Sequence, residues 1–261
     1  MKGGKNMWTK WLCTSILAPV AVCLLVISSS SAIEPGDVAG MWLFDEGGGD
    51  KAKDSSGNKN EGKVAGPKWV EGKFGKALSF DGSDDYVDVV HQASLEPKSV
   101  SGQAWVKLQN DGTRHIIFAK WTGYTLEVGA DGRPYFQIWN GQQLGSTAPV
   151  PISWGEWHHL AGTFNDEDKN ITIYVDGEAK LTTKLGSGII YNQSVLRISN
   201  TIYTGGAVNG LLDEVAIVNR VLTPADVKTL MNKGFEKMLK GETVIASDKL
   251  STTWAQIKAQ Y

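Results

Sequence analysis

The sequence predicts an all-β protein, a two-sheet antiparallel β-sandwich with one short C-terminal helix. Three observations carry this. Short runs of alternating apolar residues recur roughly every ten to fifteen residues, separated by clusters of turn formers, with almost no helical pattern between them. Glycine supplies 30 of the 261 residues, about one and a half times its usual share, as many tight turns require. The stretch from Trp157 to Gly177 reads as a hairpin: Leu160 and Phe164 point one way, His159 and Ala161 the other. After the polar link Asn165 to Asn170, Ile171, Ile173 and Val175 share a face, and Asp176-Gly177 supplies a turn.

A chain of this length suits one such domain with additions. Its formal net charge of -2 provides no basic field for nucleic acid or anionic lipid. Residues 1–32 stand apart. Lys2, Lys5 and Lys10 precede an apolar run from Trp11 to Ile27, and small residues lead to Ala32. The pattern predicts a signal peptide cleaved after Ala32 and an extracytoplasmic address. The alternative is an uncleaved anchor helix, which Pro19 interrupts. A lipoprotein reading would use Cys23, but bulky Val22 precedes it. Cys13 and Cys23 are the only cysteines, so a chain beginning at Ile33 has none. No membrane contact is expected beyond the signal segment.

From Ile33 onward, Gly40 to Phe44 forms a short apolar strand entering a glycine-rich loop that continues through Asp54-Ser55-Ser56-Gly57-Asn58. Lys76 to Phe80 and Tyr86 to Val89 are strands joined by the Asp81-Gly82-Ser83-Asp84-Asp85 turn. Val100 to Leu108 alternates as a half-buried strand. His115 to Lys120, Tyr124 to Val128 and Tyr135 to Trp139 follow, the last two linked through a turn-rich segment containing Gly132 and Pro134. Pro149 and Pro151 confine their neighbourhood to a loop or edge. Val195 to Ser199 and Leu211 to Val218 close the sandwich. One helix is well punctuated: Thr223 as N-cap, Pro224 first, Asp226 third, an apolar stripe of Val227, Leu230 and Met231, and Gly234 at its end. The tail after it, 234–261, includes Trp254 and Ile257 and has no assigned role.

Four segments resemble one family. They are Trp42-Leu43-Phe44-Asp45-Glu46-Gly47, Phe80-Asp81-Gly82-Ser83-Asp84-Asp85-Tyr86-Val87, the Trp157-x-His159 hairpin with its Tyr174-Val175-Asp176-Gly177 return, and Asp213-Glu214-Val215 through Asn219-Arg220 to Leu222-Thr223. Together they are similar to the laminin-G-like jelly-roll domains of the concanavalin A-like lectin and glucanase superfamily, and the likeness covers roughly Val38 to Lys233. It implies a jelly roll over residues 33–233.

Asp213 shares strand parity with Val215 and Ile217, so it is expected to point into the sandwich, where a carboxylate needs a partner. The resemblance implies a structural calcium, since glucanases of the superfamily hold one with an Asp at this place in the final strand. Asp45 and the Asp81 to Asp85 turn are candidate co-ligands. The alternative is that Asp213 accepts backbone N–H bonds. Tyr135, Gln137 and Trp139 share one strand face, with Glu127 and Thr125 expected alongside on the hairpin partner. Such a face can stack a sugar ring and bind its hydroxyls, with Trp121, Trp154 and Trp105 as possible additions. The alternative places these aromatics in the core. His158 and His159 project to opposite faces and cannot share a metal on one strand, so both are read as structural.

Glucanases of the superfamily carry Glu-x-Asp-x-x-Glu on one strand, which aligns two carboxylates for acid and nucleophile work. That spacing is absent, and no nucleophile elbow or phosphate loop replaces it. The expected function is therefore a secreted noncatalytic module that binds glycan and carries calcium. A structural or protein-adhesion module of the cell surface is the alternative, with a glycoside hydrolase last.

Overall fold

A computed structural model describes residues 33–200 and 205–239. The expected signal segment and the tail beyond residue 239, with Trp254 and Ile257, lie outside the described residues.

Among the described residues, sixteen strands make two antiparallel sheets. In chain order they are β1 (Val38–Trp42), β2 (Lys51–Ala52), β3 (Gly62–Ala65), β4 (Lys68–Glu71), β5 (Lys76–Asp81), β6 (Tyr86–Val89), β7 (Val100–Leu108) and β8 (His115–Lys120). There follow β9 (Tyr124–Val128), β10 (Pro134–Trp139), β11 (Gln143–Thr147), β12 (His158–Phe164), β13 (Asn170–Val175), β14 (Glu178–Lys184), β15 (Leu196–Ile198) and β16 (Asn209–Val218). The first sheet runs β14-β13-β12-β7-β16-β5-β4, with β1 also paired to β16. The second runs β11-β10-β9-β8-β15-β6-β3-β2. Helices α1 (Pro224–Lys233) and α2 (Phe235–Leu239) follow the last strand. Among the described residues no helix is long and apolar enough to cross a membrane.

The inner faces meet in one core that includes Trp42, Phe80, Val106, Phe118, Phe136, Leu160, Phe164, Ile173, Leu212 and Ile217. Alternation explains it: β10 buries Phe136 and Ile138 while Tyr135, Gln137 and Trp139 stay partly exposed. Trp42 is fully buried, and its indole N–H is satisfied by the Asn60 carbonyl at 2.8 Å.

A second core covers the other face of the first sheet. Ile33, Val38, Met41, Ala161, Tyr174, Ala216, Val218 and Phe235 pack there with Val227 and Leu230 of α1. Thr223 caps α1 reciprocally with Asp226, as the sequence requires. This layer corrects the expectation of a half-buried β7, which is buried on both faces. Two polar residues on the covered face find backbone partners: Ser101 Oγ donates to the Arg220 carbonyl, and Gln103 Nε2 to that of Glu214.

The parity assigned to Asp213 is also corrected. β16 pairs with β5 through residues 209–212 and with β1 through 215–218. At the changeover the register against β7 shifts between Asp213 and Ala216, with Glu214 at φ 52°. The bulge adds a residue and so inverts parity. Leu212 and Val215 both reach the inter-sheet core, while Asp213 stands opposite Trp105 on the other face.

Candidate functional site

The outward face of the second sheet carries a cleft of about 110 Å³ between the β8–β9 turn and the β10–β11 hairpin. Trp121 and Trp139 line it with Thr122, Thr125, Gln137 and Gln143. The cross-strand register explains why these residues meet: Gln137 lies opposite Thr125 on β9, and Trp139 opposite Gln143 on β11. The Trp139 amide is tied to the Gly123 carbonyl at 2.8 Å, which fixes the turn against β10. Gly145 faces Gln137, where an added Cβ would stand 2.7 Å from Gln137 Cγ, so glycine leaves that side chain its room.

Three of the five residues expected at the platform, Trp121, Gln137 and Trp139, line the cleft. Glu127 is buried outside the cleft, with Oε1 accepting from Gln137 Nε2 at 3.1 Å and Oε2 lying 3.9 Å from Arg114. Burial raises its pKa, against the lowering effects of Arg114 and Gln137. Tyr135 shares the face but lies beyond the cleft, its ring beside Gly129. Trp105 and Trp154 take no part in it: Trp105 belongs to the first sheet, and Trp154 packs on the core with its ring edge against His115. Thr122 and Gln143 carry no sequence signal for this role.

Of the carboxylates expected at the calcium site, Asp213 and Asp45 meet at one turn and Asp81 stands away from it. Asp213 Oδ2 accepts the backbone N–H groups of Lys73 and Phe74 at 2.8 and 2.9 Å. Asp45 Oδ1 accepts that of Lys76 at 2.8 Å, so the two carboxylates hold the same β4–β5 turn. Asp81 ends β5, a strand of six residues, roughly 17 Å from its start. It groups with Asp84 and Asp85, yet its Oδ1 accepts the Ser83 amide and Asp85 Oδ2 accepts that of Asp81, closing their own turn. Calcium takes six to eight oxygens. The groups aimed at Asp213 are N–H donors, whose positive ends oppose a cation, and Oδ1 alone is buried without a partner. This donor set fits an acceptor of backbone N–H bonds and does not fit a calcium cage.

Ser153, His158 and Asp176 stand in the order of a serine-hydrolase relay: Ser153 Oγ is 2.8 Å from His158 Nε2, and His158 Nδ1 is 2.8 Å from Asp176 Oδ2. The protons run the wrong way. Ser153 donates its hydroxyl to Glu156 Oε2 at 2.7 Å, which leaves His158 to donate from both nitrogens. The hydrogen bond to Asp176 raises the His158 pKa and so favours that imidazolium, which cannot serve as a base. His159 is the opposite case, fully buried against Gln103 and lowered by burial to about 4. Both histidines are structural.

Several solved structures share this fold. Domain 4 of AbnA, an extracellular arabinanase of family GH43 from Geobacillus stearothermophilus solved with arabinotriose, superposes at TM-score 0.64 and 20% identity over 75% of this chain and 98% of its own. The binding domain of Paraclostridial Mosquitocidal Protein 1 follows at 0.62 and 19%, over 76% of this chain and 52% of that one. The binding domain of botulinum neurotoxin DC, solved with rat synaptotagmin II, gives 0.57 and 14%, over 78% and 53%. At such identities the likeness is one of fold. Pentraxin-related protein PTX3 from Homo sapiens is 28% identical over 131 residues, 48% of this chain and 34% of the relative. The Mus musculus protein is 27% identical over 92 residues, 34% of this chain and 24% of the relative, so the chain spans about a third or less of these curated relatives. A family model described as the concanavalin A-like lectin/glucanases superfamily matches residues 81–228, more than half of the sequence, and the chain belongs to that superfamily.

Proposed function

We propose that this chain is an exported, noncatalytic carbohydrate-binding module that holds its ligand in the Trp121–Trp139 cleft. The observation that carries the reading is the cleft itself, where two tryptophans stand partly exposed beside amides and hydroxyls. Aromatic faces stack on the C–H faces of a sugar, and the polar groups take its hydroxyls. No carboxylate lines the cleft among the described residues, so a pair of acids for glycoside hydrolysis is missing there. The arabinanase domain solved with arabinotriose supports the reading by fold. Export rests on the signal pattern of residues 1–32.

A glycan array followed by titration tests this. Trp139→Ala is expected to weaken glycan binding at least tenfold, about 1.4 kcal/mol, while shifting the melting temperature by no more than about 3 °C. Tyr135→Ala, outside the cleft, is expected to bind within about twofold of wild type. Loss of about 3 to 5 kcal/mol of stability in Trp139→Ala would instead mark the ring as core and remove the site. A protein ligand is the second reading, favoured by the neurotoxin neighbour solved with synaptotagmin. An empty array, together with capture of a protein partner that survives Trp139→Ala, would support it.

A further inference from the structure

We propose that the cleft selects an uncharged glycosyl unit and rejects uronic, sialylated or sulfated sugars, with Thr122 and Gln137 reading its hydroxyls. The inference rests on the glycan-binding reading and adds the ligand class. Its first ground is the lining: two tryptophans, Thr122 and Thr125, Gln137 and Gln143, with Gly123 and Ile138 completing it. No Lys, Arg or His is among them. A carboxylate or sulfate entering a partly enclosed site loses hydration that only a cation or several aimed donors restore. Glu127, hydrogen-bonded to Gln137, adds repulsion, and Arg114 lies 3.9 Å from its other oxygen.

The second ground is Thr122, whose Oγ1 is buried and has no hydrogen-bond partner. A hydroxyl left so costs free energy, and a ligand relieves it once the side chain turns Oγ1 from its covered position toward the cleft that Thr122 lines. Thr122 also sits at φ 53°, a conformation that is strained for a β-branched residue and concentrates at ligand sites. The third ground is polarity. Because Gln137 Nε2 donates to Glu127, the amide is turned one way and its carbonyl oxygen remains to accept a sugar hydroxyl. Thr122 can both give and accept a hydrogen bond, which suits vicinal hydroxyls. The volume of about 110 Å³ is below the ~300–1,000 Å³ of sites that enclose drug-sized ligands, and suits one ring.

The test is a glycan array carrying neutral, uronic, sialylated and sulfated oligosaccharides, with the best ligand titrated at low and high salt. Neutral glycans are expected to bind, with affinity changing less than twofold between 0.05 and 0.5 M salt, since no ion pair is made. Thr122→Val keeps the shape and removes the hydroxyl, and is expected to lose about tenfold in affinity without lowering the melting temperature. Binding confined to acidic glycans, or affinity that collapses with salt, would overturn the neutral-ligand inference and leave the glycan reading standing. Full affinity in Thr122→Val would overturn the role of Thr122. An array without any glycan bound would overturn the underlying reading, and the inference with it.

Discussion

Gly162→Ala is expected to destabilise the module by about 3 kcal/mol, a melting temperature lower by roughly 6 to 12 °C for a domain of this size. Gly162 sits in the middle of β12, and its missing side chain is where the Phe136 ring lies: a Cβ there would be 1.9 Å from Phe136 Cγ and 2.2 Å from Cδ2. Neither side can yield cheaply. Phe136 is fully buried, and Gly162 is held between Gly102 of β7 and Ile173 of β13. The ring belongs to β10, whose opposite face carries Gln137 and Trp139, so any relief by moving that strand disturbs the cleft. Whatever Gly162→Ala protein folds should therefore bind glycan more weakly. Phe136→Leu in the same chain should recover part of the loss, a coupling of at least ~1 kcal/mol in a double-mutant cycle. Thermal melts of the four proteins decide it. A Gly162→Ala variant within 2 °C of wild type would show that the strands separate freely, against the close packing of Phe136 on Gly162.

Residues disclose some elements of this fold and leave others silent for physical reasons. The bounds of Val100 to Leu108 were legible because apolar residues recur at alternate positions, but its burial was not, since both of its faces are covered. β11 and β14 were not, since both are edge strands: β14 is mostly exposed, and pairing with β13 orders it without any apolar alternation. β2, β3 and β4 escaped for a similar reason, being two to four residues long. Covering layers are equally silent. Nothing in Ser101, Gln103 or His159 says that α1 and the N-terminal strand lie over that face, though their burial makes sense once Arg220, Glu214 and Gln103 are seen as partners. The cleft was half legible. Strand parity put Gln137 and Trp139 on one side, whereas Thr122 arrives through a left-handed turn residue that no periodicity announces. The bulge at Glu214 is the same kind of event, one residue at positive φ that inverts every parity argument made across it.

Asp213 is where that inversion has the largest consequence. Asp213→Ala is expected to cost about 3 kcal/mol or more, because it strands the Lys73 and Phe74 amides that hold the β4–β5 turn. Asp213→Asn should behave differently. Burial raises the Asp213 carboxyl to about 7, the neighbouring Glu214 charge adding to it and the backbone donors opposing it. Burial likewise raises Glu214 to about 7, with Asp45 and Glu236 contributing and the Phe235 amide opposing. Both pKa values lie above those of an unfolded chain, so between about pH 4 and pH 7 the folded protein holds protons that the unfolded one has lost. Stability from these groups is fullest below about pH 4 and falls as pH rises through 7. The wild-type protein should thus melt higher at pH 5.5 than at pH 8.5. Asp213→Asn, neutral throughout and still able to accept through its carbonyl, should lie near wild type at pH 5.5 and above it at pH 8.5. Calcium provides the opposing outcome. A site filled at a hundred times its dissociation constant would add about 2.7 kcal/mol, roughly 5 to 11 °C, and Asp213→Asn would abolish that gain. The N–H donors around Asp213 predict instead a melting temperature that neither millimolar calcium nor excess chelator moves. A calcium-dependent rise confined to the wild-type carboxylate would overturn the acceptor role and make Oδ1 of Asp213 a metal ligand.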